Sequence, residues 1–405
     1  MNVLMISPGF PAEMPFFTRG LQQVGANVIG IGDQPMGALP EMAQNALAGY
    51  VHVRSLWEED DVLEEVLRLA RSRPIERVEC LWEPGMILAA RIRERLGLPG
   101  MTVAETIPFR DKEKMKQVLD EADIRTPKHA SSTSAEGIRR AAAYIGYPLI
   151  VKPIAGAGSK DTYRVNSDEE LEQTIPLLGH IEEVSVEEFI DGDDLTFDTV
   201  CVGGEIAFAN VFFYRPRALQ IQTVEWISPQ TIALRNLHDE KIADGVQMGQ
   251  RVLKALNFRT GFTHMEWYRK PHGEAVFGEI AARPPGGRTV DLMNYTCDID
   301  LFRGWAEAVV HGRFTQPVER QYNAAIIFKR AIGQGVIQRV EGLDRLMHEY
   351  GPHVAAVNLA TVGTPRKNWR QSLTADGFVV VRHPDFMTCL EIADRVSTDV
   401  RLYAE

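Results

Sequence analysis

Apolar and polar positions change period several times along the 405 residues. In the first hundred, short apolar runs alternate with amphipathic stretches. "NVLMIS" (2–7) reads as a strand ending in Ser-Pro-Gly, and "PFFTRGLQQVG" (15–25) as a helix closed by glycine. "NVIGIG" (27–32) is a second strand, "EDDVLEEVLRLARS" (59–72) a helix, "RVECLWE" (77–83) a strand, and "GMILAARIRERLG" (85–97) a helix with a glycine stop. Strands separated by helices of this length predict a small parallel α/β layer. Neither "ISPGF" nor "GIGDQP" has the GxGxxG spacing of a dinucleotide loop.

From Asp111 the pattern changes. "DKEKMKQVLDEAD" predicts an amphipathic helix with Met115, Val118, Leu119 and Ala122 on one face. Ser167 and Glu170 have the spacing of a capping box. "LTFDTVCVGGEIAFANVFF" (195–213) reads as two strands joined at Gly203-Gly204. "FTHMEWYRKPHGEAVFGEIAAR" (262–283) reads as a hairpin turning at His272-Gly273.

Composition narrows the function classes. The chain is 45% hydrophobic and 24% charged, and no apolar run approaches the ~18 residues of a membrane span. A net charge of −11 argues against a general nucleic-acid or anionic-membrane surface. Cys80, Cys201, Cys297 and Cys389 are scattered without CxxC spacing, as expected of free thiols in a reducing compartment. With no secretory pattern at the start, a cytoplasmic protein is expected.

Three stretches carry candidate chemistry. In "YPLIVKPIAGAGSKDTYRV" (147–165), Lys152 lies inside an apolar run, where an ammonium is costly unless it meets an anion. Gly156 to Ser159 with Lys160 then form a turn able to close backbone N–H groups over phosphate. The spacing is not that of a Walker loop, and a glycine hairpin with a surface-reaching lysine fits as well. In "VEEFIDGDDLTFD" (186–198), Glu187 suits an adenine amino group, backbone near Glu188 and Ile190 the rest of its edge, and Asp194 ribose hydroxyls. A solvated acidic turn also fits. In the 262–283 hairpin, a symmetric turn pairs residues whose numbers sum to 545. That puts Glu266 opposite Glu279, on one face with His264, Tyr268, Phe277 and Ala281. Like charges so placed destabilise a sheet, unless a cation such as magnesium lies between them; a screened, solvent-facing strand is the alternative. Arg283 and Arg288 flank the Pro-Pro-Gly-Gly bend that follows and suit phosphate or a substrate carboxylate.

Taken in order, "FRDKEKMKQVL", "YPLIVKPIAGAGS", "VEEFIDGDDLTFD", "FTHMEWY" and "VFGEIAARPPGG" resemble the motif series of the ATP-grasp ligase superfamily along the whole chain. The resemblance implies an α/β and α+β architecture: a pre-grasp α/β domain (1–108), a central lid domain (109–190), a grasp domain carrying the metal site (191–320) and a small C-terminal domain (321–405). It implies ATP and magnesium as cofactors. Lys112 corresponds to the lysine at the mouth of the ATP site and Lys152 to the one contacting α-phosphate and adenine. Glu187, Glu188 and Ile190 correspond to the adenine segment, Asp194 to the ribose acid, Glu266 and Glu279 to the metal carboxylates, and Arg283 to the arginine near the transferred phosphoryl group.

One departure stands out. The family often has Glu-x-Asn-x-Arg where this chain has Glu279-Ile280-Ala281-Ala282-Arg283, and Ala281 offers no ligand. "EIAARPPGG" is nearer to amino-acid-ligase-like members than to the carboxylases. The resemblance therefore implies a carboxylate–amine ligase working through an acyl phosphate, with amino-acid-like acid and amine substrates and a homodimer as in similar enzymes. A biotin-carboxylase-like or purine-pathway enzyme, or a degenerate ATP-binding protein, is the alternative. Residues 155–161, with Gly156 and Gly158, are expected to be mobile without nucleotide. Protease nicking there should fall when ATP and magnesium are added; equal cutting in both conditions refutes this.

Overall fold

A computed structural model describes residues 1–154, 161–370, 372 and 374–405, without the side chains at 218, 219 and 222. The N-terminal layer is a parallel sheet of β1 (Asn2–Ile6), β2 (Asn27–Gly32), β3 (Gly49–His52) and β4 (Arg77–Glu79), in the order β3-β2-β1-β4. Its inner strands are buried on both faces, as parallel sheets require. Val3, Met5 and Val28 face the helices Met14–Gln23 and Leu301–His311, while Leu4, Ile6, Ile29 and Ile31 face the helices Glu59–Ser72 and Met86–Leu96.

Two details differ from the sequence pattern. β3 is only four residues, three half-buried and His52 exposed, too short to read. The strand expected at 77–83 stops at Glu79, and Glu83–Gly85 forms a single 3-10 turn. Because connections leave β1 in one direction and arrive at β4 on its other side, the loops after these two strands diverge and open a crevice at their carboxyl ends.

The central layer is antiparallel: β5 (His129–Ser132), β6 (Leu149–Pro153), β7 (Tyr163–Val165) and β8 (Val184–Glu188), in the order β5-β8-β6-β7. Leu149, Val151, Val184 and Val186 pack against helices carrying Ile138, Ala142 and Leu171. Strand alternation therefore sends Lys152, Ser185 and Glu187 to the opposite face. Ser167 Oγ caps Glu170 N at 3.3 Å as predicted, but the Glu170 carboxylate returns to Asn166 N (2.8 Å), one residue before the expected partner.

The large sheet holds β9 (Asp193–Val202), β10 (Glu205–Asn210), β11 (Phe212–Arg215), β12 (Gln230–Ala233), β13 (Gly261–Arg269), β14 (Ala275–Ala281) and β15 (Asn323–Phe328). After β16 (Ile332–Gly333) and β17 (Ile337–Glu341), it is completed by β18 (Val354–Leu359) and β19 (Gly377–His383). β20 (Arg401–Ala404) joins β16 and β17 in a small separate sheet. The large sheet thus runs on past residue 320 through β15, β19 and β18. The Gly203-Gly204 turn has φ of 63° and 99°, the double positive φ that suits a two-residue hairpin.

The β13–β14 hairpin corrects the symmetric register. Near the turn the pairs are Trp267–Phe277, Tyr268–Val276 and Arg269–Ala275, each summing to 544; past a bulge at Gly278 they are Glu266–Glu279, Met265–Ile280 and His264–Ala281, summing to 545. The glutamates do face each other, because the bulge restores what an asymmetric turn had shifted. A Cβ at Gly278 would stand 2.8 Å from Glu266 O. Phe277, expected on the glutamate face, instead joins Met265, Trp267 and Ile280 in the core.

Behind that core lies the helix Glu240–Ala255, with Gly245 and Gly249 one turn apart against the sheet. A Cβ at Gly245 would come 2.2 Å from the Trp267 ring, and one at Gly249 2.2 Å from the Phe197 ring. Gly→Ala in a helix ordinarily gains about 1 kcal/mol, whereas overpacking costs about 1–3 kcal/mol. Since these rings cannot withdraw through the sheet, the cost should outweigh the gain, and Gly249→Ala should destabilise the protein by up to about 2 kcal/mol, seen as a lower urea midpoint; a raised midpoint would contradict the packing.

Candidate active site

One face of the large sheet collects the polar groups. Strand pairing places Asp194 beside Tyr268, Thr196 beside Glu266 and Asp198 beside His264, with Glu279 and Ala281 across β13. His264 is held from both sides: Nδ1 lies 2.6 Å from Asp198 Oδ1 and Nε2 3.5 Å from Glu266 Oε1. Burial alone would lower its pKa, but Asp198 and Glu266 outweigh it and push the imidazole up to about 9. Burial, reinforced by Glu266, holds the Tyr214 and Tyr268 phenols neutral and far above their usual range.

Opposite this face stand three lysines. Asp111 caps the helix Lys112–Glu121 by accepting from Glu113 N and Lys114 N (3.0 Å each). Met115 and Leu119 enter the core, leaving Lys112 and Lys116, four residues apart, on an adjacent stripe. Lys112 Nζ is 3.3 Å from Glu279 Oε2. Lys116 Nζ is 2.5 Å from Glu187 Oε1, and Lys152 Nζ is 2.9 Å from Glu187 Oε2. Ser185 Oγ also donates to Glu187, at 2.8 Å.

The charges shift one another. Burial opposes ionisation of Glu187, yet Lys116 and Lys152 hold its carboxyl far below the usual range. Burial pulls the Lys116 ammonium down against Glu187, while at Lys152 the attraction of Glu187 overcomes burial and raises the pKa. Glu279 is lowered to about 2, Lys112 and Lys152 outweighing its burial. Lys116 was not singled out from the sequence, although its i+4 spacing from Lys112 was a signal. Both carboxylate oxygens of Glu187, expected to meet an adenine amino group, are engaged by lysines.

The other expected residues are placed as follows. Glu188 points away from the lysine cluster, to Arg125 Nη2 (3.0 Å) and Lys128 N (3.1 Å). Ile190 is buried. Asp194 Oδ1 is 3.2 Å from Arg217 Nε, and the same arginine reaches Asp191 Oδ1 and Ile190 O at 3.0 Å; Arg217, distant in sequence, was also not singled out. Gly156, Gly158, Ser159 and Lys160 lie outside the described residues.

A cavity of about 550 Å³ opens beside Glu266 and Glu279. It fills the crevice between β1 and β4: Phe10, Glu13, Trp82 and Glu83 come from the N-terminal layer, while Tyr214, Thr231, His264 and Arg283 come from the large sheet and its edge. Phe328, Arg330 and Trp369 close the far side. Arg283 Nε is 2.7 Å from Glu83 Oε2, and Arg110 binds the other oxygen of Glu83. Arg288 is not among the residues lining this cavity. Its guanidinium lies over the Phe16 ring (4.5 Å) and beside Asp291, while its N–H donates to Glu13 Oε1 at 3.1 Å.

Among the described residues no cluster of three or more His, Cys, Asp or Glu side chains could hold a metal ion by itself. Glu266 and Glu279, two hard oxygen donors directly opposite each other, fit magnesium, which takes one or two carboxylates and completes its shell with water and phosphate.

Residues 117–293 match the ATP-grasp domain, and residues 22–100 match the ATP-grasp N-terminal domain. "Uncharacterized protein y4rH" of Sinorhizobium fredii is 27% identical over 314 residues, 76% of this chain and 63% of that protein. The L-arginine-specific L-amino acid ligase of Bacillus subtilis is 25% identical over 244 residues, 58% of each. The chain therefore spans less than two thirds of the length of these curated relatives. The crystal structure of an L-amino acid ligase from Bacillus licheniformis superposes with a TM-score of 0.79 at 20% identity, covering 100% of this chain and 98% of that one. N5-carboxyaminoimidazole ribonucleotide synthetase from Thermotoga maritima gives 0.72 at 17%, covering 100% and 99%. With both family domains matched in order and the fold shared over its full length, the chain belongs to the ATP-grasp superfamily.

Proposed function

We propose that this protein is an ATP- and magnesium-dependent carboxylate–amine ligase that joins small, amino-acid-like substrates through an acyl phosphate. The observation that carries the reading is the junction of two features. A carboxylate pair has Lys112 against Glu279 and lies within the field of Lys152, which Glu187 holds together with Lys116, and a cavity of about 550 Å³ opens directly beside the pair. The lysines suit a triphosphate. The cavity has room for organic substrates. The amino acid ligases among the relatives and structural neighbours support amide formation.

On this reading ATP lies between β6–β8 and the β9–β13–β14 face, with Lys112 and Lys152 toward its phosphates. Glu266 and Glu279 would hold magnesium, which neutralises and orients the phosphate oxygens when bound. A substrate carboxylate oxygen forms a bond to the γ-phosphorus while the bond from that phosphorus to the bridging oxygen of ADP breaks. Arg283 stabilises charge on the transferred phosphoryl group. The amine then attacks the acyl carbon, the C–N bond forms, the bond to phosphate breaks with its electron pair, and the amine loses a proton. Positioning and charge stabilisation supply the rate. In place of a serine or cysteine nucleophile, the substrate's own carboxylate is activated.

Glu279→Gln should abolish phosphate release from ATP in the presence of amino-acid mixtures, while ATP affinity falls far less, as measured by calorimetry. Turnover near the parent level would remove the metal-ligand role. A second test concerns His264, which faces Ala281 where the family often has asparagine. If His264 supplies part of the missing function by hydrogen-bonding metal-bound water, His264→Ala should raise the magnesium concentration needed for half-maximal turnover. Adding Ala281→Asn should recover part of the loss, because the two sites are cross-strand neighbours. An unchanged magnesium requirement would reduce His264 to packing.

A further inference from the structure

The carboxyl ends of β1, β2 and β3 enclose a second cavity, of about 320 Å³, distinct from the one containing Glu266 and Glu279. Its wall is aromatic: Phe10 after β1, Tyr50 on β3, Trp57 on the loop beyond, and Trp82 after β4. Asp33, just past the end of β2, supplies a carboxylate. Phe10 and Trp82 line both cavities, so the two are neighbours across these side chains.

Several contacts set this arrangement in place. The Trp57 and Trp82 rings meet edge to face with centroids 5.2 Å apart at 76°. Leu56 N donates to Asp33 Oδ2 at 3.3 Å, tying the loop that carries Trp57 to the carboxylate. The Tyr50 hydroxyl donates to Gln34 O at 2.6 Å, fixing that ring. Yet Phe10 remains 57% and Trp57 68% exposed. Large rings left in water around a cavity, with a carboxylate among them, are not explained by packing. Aromatic faces attract cations through their quadrupole, and an arrangement of several such faces is how ammonium groups are commonly recognised. Asp33 adds a full charge of the matching sign and disfavours anions. No Lys, Arg or His side chain is among the described residues lining this cavity; His52, which follows Tyr50 and Val51 on β3, places Nε2 3.3 Å from the Asp33 carbonyl oxygen, and Arg54 pairs with Asp61 at 3.4 Å.

We propose that this cavity binds the ammonium or guanidinium group of a substrate whose reacting end lies in the larger cavity, so that the enzyme uses an amino acid with a basic side chain. The substrate identity rests on the ligase reading above; the cation site does not. The order of the sheet explains the pairing of the two cavities. Loops after β1 and β4 face the carboxylate pair, and the loop after β2 stands one strand further out, so an elongated substrate spans both.

Binding is read first without ATP, by tryptophan fluorescence and calorimetry, using L-arginine, L-lysine, tetramethylammonium and the neutral L-norleucine. The cations should bind about tenfold or more tightly than norleucine. Asp33→Asn and Trp57→Leu should each weaken them about tenfold, with the melting temperature unchanged and Asp33→Glu restoring part of the loss. In phosphate-release assays the same variants should raise KM for the basic amino acid, leaving its kcat and the KM of neutral amino acids unchanged. Equal affinity for lysine and norleucine, or indifference to both substitutions, overturns the proposal. Phosphate release that is no greater with lysine or arginine present than with neutral amino acids would overturn it while leaving the ligase reading intact. Asp33-dependent cation binding without phosphate release from any amino acid would uphold the cation site and sink the ligase reading.

Discussion

The constraint on which the site depends is the facing of two carboxylates across one pair of strands. Glu266 and Glu279 would push β13 and β14 apart if left alone. The protein answers from three directions. Lys112 approaches Glu279 from the helix over the gap, His264 reaches Glu266 along its own strand, and Lys152 adds positive potential from the facing sheet. The large sheet, the central sheet and the helix after Asp111 are therefore bound by one charge balance as well as by their apolar cores. With Glu266 and Glu279 partly open to solvent, such a cluster adds little net stability of its own.

How much of this was legible follows from the range of each interaction. Periods of 2 and 3.6, glycine stops and the Asp111 cap act within a few residues, and the strand β2 and the helix Glu59–Ser72 emerged at their observed bounds. The pairing of Glu266 with Glu279 was legible for an incomplete reason. The turn is one residue out of symmetry, and the Gly278 bulge, which depends on backbone crowding at Glu266 O, compensates further along. Phe277, lying between turn and bulge, carries the uncorrected phase and so faces the core. Lys116 and Arg217 escaped notice because their partners are 71 and 23 residues away; a charge's meaning is fixed by the fold that brings its counter-ion. β3 escaped because four residues, none of them buried, carry too little pattern to distinguish strand from loop.

The order of the N-terminal sheet has its own consequence. Reversal of winding between β1 and β4 separates their loops, and the space so made faces the large sheet rather than solvent alone. The early end of β4 matters here: a strand continuing to Glu83 would hold Trp82 in the sheet and close the crevice. Its termination at Glu79 lets Trp82 stand between the two cavities and puts Glu83 within reach of Arg283, 200 residues on in the chain.

Glu83 and Glu187 solve the same problem at opposite ends of the site. Each carboxylate holds two basic side chains, Arg110 and Arg283 in one case and Lys116 and Lys152 in the other. Without those acids the cations would repel each other and turn toward water. With them, the cations are already oriented and partly desolvated at the rim and floor of one gap, and each group of three keeps a net positive charge. An arriving polyanion then meets donors whose ordering cost was met during folding, which is the electrostatic preorganisation a phosphoryl-transfer site requires. Glu187 and Lys152 share the central sheet and are joined by Lys116 from the helix after Asp111, whereas Glu83 of the N-terminal layer takes Arg110 and Arg283 from elsewhere in the chain, so the second cluster exists only when the N-terminal layer is docked against the large sheet.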